Sequence, residues 1–157
     1  GVAPDIMCLG KGLGGGVPIG AVAWRDSLGQ IPHGSHGSTF GGNPLACVAA
    51  VATLQVLARD NLPARAGSLG DQLLADLRGL DSPLVREVRG LGLMVGVELR
   101  RRVTPLLKAL LARGVLALPA GSTVLRLLPP LVISEGELAT VVETIAEALD
   151  EEVTQDA

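Results

Sequence analysis

PDIMCLGKGLGGGVPIGA, residues 4–21, places a single lysine, Lys11, between an apolar run and a cluster of glycines at positions 10, 12, 14, 15 and 16. The run Ile6-Met7-Cys8-Leu9 reads as a short buried strand. A charged amine at the end of such a strand has three readings. The default for a lone lysine is a surface charge in a glycine-rich turn, its amine in water. The second is a nucleotide-binding module, because Gly10, Gly12 and Gly15 satisfy G-x-G-x-x-G after a strand. That motif needs a helix next, so that backbone N–H groups and the helix dipole meet a pyrophosphate. Gly16-Val17-Pro18-Ile19-Gly20 follows instead and reads as extended. Nor does the order fit a Walker loop, whose lysine comes after the glycines and before Ser or Thr. The third reading is covalent catalysis. A lysine at a strand end, beside glycines that let other groups approach, suits Schiff-base formation with an aldehyde cofactor. That chemistry needs a neutral amine part of the time, which burial and a nearby cofactor provide. Spacing alone does not decide among the three.

Composition narrows the field. A chain of 157 residues suffices for one domain with a core, or for parts of two. With 48% hydrophobic and 18% charged residues it is globular rather than disordered. A net charge of −3 argues against nucleic acid as the main partner, and only Trp24 and Phe40 offer aromatic rings for stacking on bases. The longest apolar stretch, LACVAAVATLQVLA at 45–58, is interrupted by Gln55 and too short to span a bilayer. No basic segment followed by an apolar one opens the chain, so a cytoplasmic protein is expected, neither exported nor membrane-bound. Cys8 and Cys47 share no metal-ligand spacing and read as two buried thiols in a reducing compartment. The chain opens at Gly1, without a methionine and immediately before a strand, as a fragment of something longer would.

The pattern along the chain is α/β. Residues 5–10 and 19–24 read as strands joined by the glycine segment, and 26–42 as an irregular loop rich in Gly, Ser and His. Asn43 and Pro44 are the N-cap and first position of a helix running to about Arg59, so apolar that burial on most sides is expected. Asp60-Asn61-Leu62-Pro63 breaks the chain. A second helix follows to about Leu80, with Leu69, Leu73, Leu74 and Leu77 at helical spacing. VREVRGLGLMVGVEL, 85–99, reads as one or two strands with a bulge at 90–92. A short helix over 104–113 ends at Gly114, and 115–121 and 123–131 supply two further strands. Ser134 with Glu137 forms a capping box that opens a last helix to about Glu151. The change of pattern near 60–66 divides the chain into 1–62 and 63–157.

Four collinear segments then carry a resemblance. PDIMCLGKGLGGGVPIGA, HGSHGSTFGGNPLACVAA (33–50), VREVRGLGLMVGVEL and AGSTVLRLLPPLVIS (120–134) resemble the class III aminotransferases, enzymes of fold type I that depend on pyridoxal 5′-phosphate. Order and separation match across essentially the whole chain. The resemblance implies that 1–62 is the C-terminal part of the large cofactor-binding domain, at the edge of its mixed sheet. Residues 63–157 are then the small C-terminal α/β domain. It also implies that Lys11 binds the cofactor covalently and moves a proton at the substrate carbon. The cofactor's phosphate loop, the aromatic over its ring, the aspartate at its nitrogen and the arginine for the substrate's α-carboxylate are all expected before Lys11. This chain alone is therefore expected to be an incomplete, inactive portion.

Three more positions carry roles by the same resemblance. Thr39, which as a loop hydroxyl would ordinarily satisfy a neighbouring backbone group, would reach across a homodimer interface to the partner's cofactor phosphate. Ser38 would lie near the substrate. Arg126, flanked by Leu125 and Leu127, could simply point to solvent from a strand. In the family the matching arginine is in the active site; in ornithine-type members it can pair with a glutamate, and otherwise its planar fork is available to a substrate carboxylate. Arg86 and Arg89 around Glu87 read as surface or interface pairs. His33 and His36 alone make no metal site, and none is expected. The wording is nearest to the acetylornithine type and leans toward the relative acting on lysine attached to an amino-group carrier protein in bacterial lysine biosynthesis. The implied reaction moves an amino group from a terminal amine to 2-oxoglutarate, in arginine or lysine biosynthesis. Two rivals stay open: an aminomutase of the glutamate-1-semialdehyde type, and the glycine-loop nucleotide-binding module.

Overall fold

A computed structural model describes residues 2–155. The chain divides into two compact units, Gly1–Asn61 and Leu62–Ala157. Among the described residues no single helix is long and apolar enough to cross a membrane.

In the first unit, β1 (Ile6–Leu9) and β2 (Ala21–Trp24) pair antiparallel, with Ile6 opposite Trp24 and Leu9 opposite Ala21. They are joined by a 3₁₀ turn at Lys11–Gly14. A second short turn, Asp26–Leu28, leads into irregular backbone up to helix α1 (Pro44–Arg59). The helix starts where the sequence predicts. Asn43 Oδ1 accepts a hydrogen bond from Ala46 N at 3.0 Å, and Pro44 occupies the first turn, where its missing N–H costs nothing.

Burial in this unit departs from expectation in three places. Only Ala46 and Ala50 of α1 are buried, whereas Leu45 is 74% and Val48 67% exposed. The helix meets the glycine turn through its small residues and leaves its large ones uncovered. Strand β1, expected to be buried, is exposed along its length, and among the described residues β2 is its one strand partner. Cys8 is exposed with it and Cys47 is half-buried, so the expectation of two buried thiols is corrected.

The second unit has its own core. Helix α2 (Leu62–Arg78) begins one residue before Pro63 and buries Leu62, Leu69, Leu73, Leu74 and Leu77. Strands β3 (Val85–Leu91), β4 (Met94–Leu99), β5 (Leu118–Ala120) and β6 (Val124–Leu127) form one antiparallel sheet in the order β3-β4-β6-β5. Leu91 pairs with Met94, which makes Gly92-Leu93 a two-residue hairpin turn, with Gly92 at φ +54. The expected bulge at 90–92 is this turn. The register shift falls at the far end of the hairpin, between Val85 and Glu87.

Alternation along the strands sends Val95, Val97, Leu99, Leu125 and Leu127 to one face. There they join α2, Leu106 and Leu110 of α3 (Thr104–Ala112), and Ile145 and Leu149 of α4 (Glu135–Gln155) in a single apolar cluster. Each fully buried leucine stabilises by about 1.5–3 kcal/mol. Gly114, at φ +83, follows the end of α3. The capping box forms as read. Ser134 N donates to Glu137 Oε2 at 2.8 Å, and Glu137 N donates to Ser134 Oγ at 3.2 Å. The Ser134 N–H and, at 2.7 Å, the Ser134 hydroxyl both donate to the Glu137 carboxylate and hold it below its ordinary range.

The tightest backbone approach in this unit joins α2 to the β3–β4 turn. A methyl group at Gly70 would overlap the Gly92 carbonyl, whereas one at Gly67 would meet nothing within 4 Å. Gly70→Ala is expected to lower stability by about 1–3 kcal/mol through overpacking. Gly67→Ala should raise it by roughly 0.5–1 kcal/mol through helix propensity. Denaturant titration of both variants checks the pair, and equal effects would disprove the close packing.

Candidate active site

Lys11 sits directly after β1. Gly10 is extended at φ −174, and Lys11 itself adopts φ +55. A left-handed lysine costs roughly 1–2 kcal/mol, because its Cβ crowds the carbonyl that follows. Strain of this kind in a functional segment is a recognised sign of a constrained site. Turn hydrogen bonds from Leu13 N to Gly10 O and from Gly15 N to Gly12 O, both 3.1 Å, fix the conformation. Gly14 is buried, and a methyl there would come within 2.9 Å of Ile19 Cγ2. Gly15, at φ +60, faces Thr53 of α1, whose Oγ1 would lie 3.2 Å from an added Cβ. Only a 3₁₀ turn follows Gly10, so no helix N-terminus is present to receive a pyrophosphate. The Lys11 amine is exposed and takes no ion pair or hydrogen bond among the described residues.

The loop before α1 carries the next two candidates. Ser38 and Thr39 are exposed, and neither hydroxyl bonds to a described residue. Gly41 passes so close to Ser38 that an added Cβ would stand 2.9 Å from the serine Cβ. Asn43 Nδ2 donates to Phe40 O at 3.0 Å, which ties the loop to the helix it caps. Ser38, His36, Trp24, Phe40 and Asn43 contribute to an open cleft of about 1090 Å³, whose lining includes neither Lys11 nor Thr39. The structure thus brings Ser38 and Thr39 together and leaves Lys11 on a separate turn of the same unit. Among the described residues no three metal-ligating side chains cluster.

Arg126 belongs to the second unit. Its register places it between Gly96 of β4 and Leu118 of β5, and Gly96 in turn pairs with Arg89 of β3. The row Arg89-Gly96-Arg126-Leu118 therefore runs across the sheet on the face opposite the helices. Arg89 is engaged, donating to Glu98 at 2.6 Å and Glu87 at 2.9 Å. The hydrogen bond to Glu98 raises the Arg89 pKa and lowers that of Glu98. Arg86 adds a 3.1 Å contact to Glu98, so these side chains are surface pairs, as read. Arg126 is half-buried, without an ion pair among the described residues. It is the one charged residue lining an apolar cavity of about 470 Å³, with Leu116, Leu118, Leu128, Pro129 and Pro130.

Sequence reasoning missed Arg65. In the first turn of α2 it looks like a solvent-facing charge, yet its two terminal nitrogens donate to Leu131 O at 2.9 Å and Ile133 O at 2.6 Å. No local signal announces a bond across 66 or 68 residues.

The donor set suits pyridoxal phosphate. In the first unit a primary amine without a counter-ion among the described residues and two hydroxyls without partners there have the chemistry that an aldehyde and a phosphate require. Comparison with known proteins points the same way. The model of the family "Aminotransferase class-III" matches residues 1–149. An ornithine aminotransferase of Bacillus cereus (strain Q1) is 50% identical over 140 residues, which is 88% of this chain and 35% of that protein. One from Bacillus subtilis (strain 168) is 46% identical over 95% of this chain and 38% of its own length. Among solved structures, acetylornithine aminotransferase from Elizabethkingia anophelis superposes with a TM-score of 0.88 at 40% identity, over 96% of this chain and 42% of that one. Ornithine δ-aminotransferase of Plasmodium falciparum gives 0.89 at 36% identity, over 95% and 41%. The chain thus spans between about a third and two fifths of these relatives. Class III aminotransferases are pyridoxal-phosphate-dependent transaminases, and their partial fold matches the mixed α/β architecture described above. With the family model matching residues 1–149 of 157, the chain belongs to the class III aminotransferases.

Proposed function

We propose that the polypeptide containing this chain is a cytoplasmic, homodimeric aminotransferase. It moves an amino group between the terminal amine of an ornithine-like donor and 2-oxoglutarate. Residues 1–62 would complete the large cofactor-binding domain, and 63–157 would form the small domain. The observation that carries the reading is Lys11, an amine without an ion pair among the described residues, held at positive φ directly after β1 and Gly10. Pyridoxal phosphate, when bound, supplies an aldehyde to hold the amino group and a ring that takes up the electron pair released with the proton. Lys11 Nζ would attach the cofactor and would move the proton from the substrate carbon that bears the nitrogen to the cofactor's aldehyde carbon, which leaves the nitrogen on the cofactor. The Thr39 hydroxyl donates to a phosphate oxygen in the partner's site, and Ser38 faces the substrate. The Arg126 fork accepts a carboxylate, for which its freedom from Glu87 and Glu98 leaves it available.

The donor is the finer question. Ornithine and N-acetylornithine come first, because the relatives described above carry those names. Lysine on an amino-group carrier protein is the other donor, favoured by the wording of 85–99 and 120–134. N-acetylornithine as donor would place the enzyme in arginine biosynthesis, and the carrier-bound lysine in lysine biosynthesis.

Three measurements on the full-length protein test this. Lys11→Ala is expected to abolish the visible absorbance that added pyridoxal phosphate confers, and to cut turnover by more than the roughly 10²–10⁴-fold of proton transfer alone. A band that persists would sink the assignment. Thr39→Ala should weaken cofactor binding roughly ten- to hundredfold, the range for one hydrogen bond to a charged group. Mixed dimers of the Lys11→Ala and Thr39→Ala chains should regain one site of wild-type affinity, and failure to regain it would remove Thr39 from the shared site. Donor profiling should find 2-oxoglutarate-dependent consumption of ornithine, N-acetylornithine or the carrier-bound lysine. Isomerisation of glutamate-1-semialdehyde without an acceptor would replace the transferase with the mutase.

A further inference from the structure

The segment after β6 is thinly held. Strand pairing stops at Leu127 opposite Val95, and β5 reaches only to Leu118 opposite Arg126. Pro129 and Pro130 bring no N–H groups, and the one local backbone bond runs from Ile133 N to Pro130 O at 3.0 Å. Among the described residues, the only hydrogen bonds tying 128–133 to a distant element come from the half-buried Arg65. Its fork spans the Leu131 and Ile133 carbonyls. That segment is also a wall. Leu128, Pro129, Pro130 and Ile133 line the cavity of about 470 Å³ in which Arg126 is the single charge.

We propose that Arg65 is a positioning residue for the carboxylate pocket at Arg126, setting the pocket wall by gripping the main chain beyond Pro130. This rests on the aminotransferase reading, in which Arg126 meets a substrate carboxylate. A guanidinium suits the task because two parallel N–H donors fix both distance and orientation of a backbone segment, where an ammonium offers a point charge. Arg65 needs no contact with substrate. By holding residues 131 and 133 against the first turn of α2, it sets how closely the proline pair stands to Arg126.

The test uses full-length enzyme loaded with pyridoxal phosphate and carrying Arg65→Lys or Arg126→Lys, with 2-oxoglutarate, ornithine and N-acetylornithine as probes. Arg126→Lys identifies the relevant substrate as the one whose KM rises most. Arg65→Lys should raise that same KM by roughly three- to tenfold with kcat nearly unchanged, less than the tenfold or more of a charged hydrogen bond lost directly, because Arg65 acts only through the wall. It should also speed amide hydrogen exchange at 131–133 while α4 and the β3–β4 hairpin stay protected. Lysine keeps the charge and one bond. Should it still destabilise the unit, Pro130→Ala loosens the same wall from its other side and should raise the same KM. If Arg126→Lys raises a KM that Arg65→Lys and Pro130→Ala leave alone, the clamp is wrong and the aminotransferase reading stands. If the enzyme transaminates and neither arginine variant alters any KM, the pocket assignment and the clamp fall together. Absence of transamination in the wild type would instead overturn the functional reading on which both rest.

Discussion

Turn hydrogen bonds hold the left-handed backbone at Lys11, and the glycines after it let helix α1 lie against that turn. Gly14 fits beside Val17 and Ile19, and Gly15 leaves just enough room for Thr53. Along α1, Ala46 and Ala50 are the residues that become buried, so small side chains on the helix meet a turn with almost none. The same helix governs the second candidate segment. Its cap, Asn43, holds Phe40 O, which fixes the end of the loop bearing Ser38 and Thr39. One helix therefore supports both the lysine turn and the hydroxyl loop, and a larger residue at Gly14 or Gly15 would disturb the first directly.

In the second unit the corresponding constraint is the two-residue period of the sheet. The face that meets α2, α3 and α4 is wholly apolar, so every charge on β4 and β6 must stand on the other. Two arginines share a row there on either side of Gly96, yet their chemistry differs. Arg89 is neutralised by Glu98 and Glu87, whereas Arg126 has no ion pair among the described residues and borders an apolar cavity that also reaches Leu73, Leu138 and Val141 on the helix side. An unpaired guanidinium with low-polarity walls favours an incoming anion more than one already in a salt bridge. The difference lies in strand neighbours rather than in residue type.

Much of this was legible in the chain itself. Asn43-Pro44 marks the start of α1, Ser134 and Glu137 mark that of α4, and the leucines of α2 mark its buried side, because capping and amphipathic spacing are local properties. Boundaries were read less well where pairing decides them. Residues 123–131 read as one strand, but β6 ends at Leu127, where its neighbours stop. Burial was read worst. The apolar stretches of α1 and β1 read as core and are exposed, since hydrophobicity states a tendency to be covered and not what covers it.

Sequence by itself determined the family, the lysine, and the positions of the serine, threonine and arginine that resemble a cofactor and substrate site. Those features are written in residue identity and spacing. Tertiary structure alone decided that Lys11 sits at positive φ and that Arg65 grips the chain after Pro130. Each of these depends on groups far apart in the chain being brought within about 3 Å or on a strained dihedral being held from outside. No local pattern encodes either.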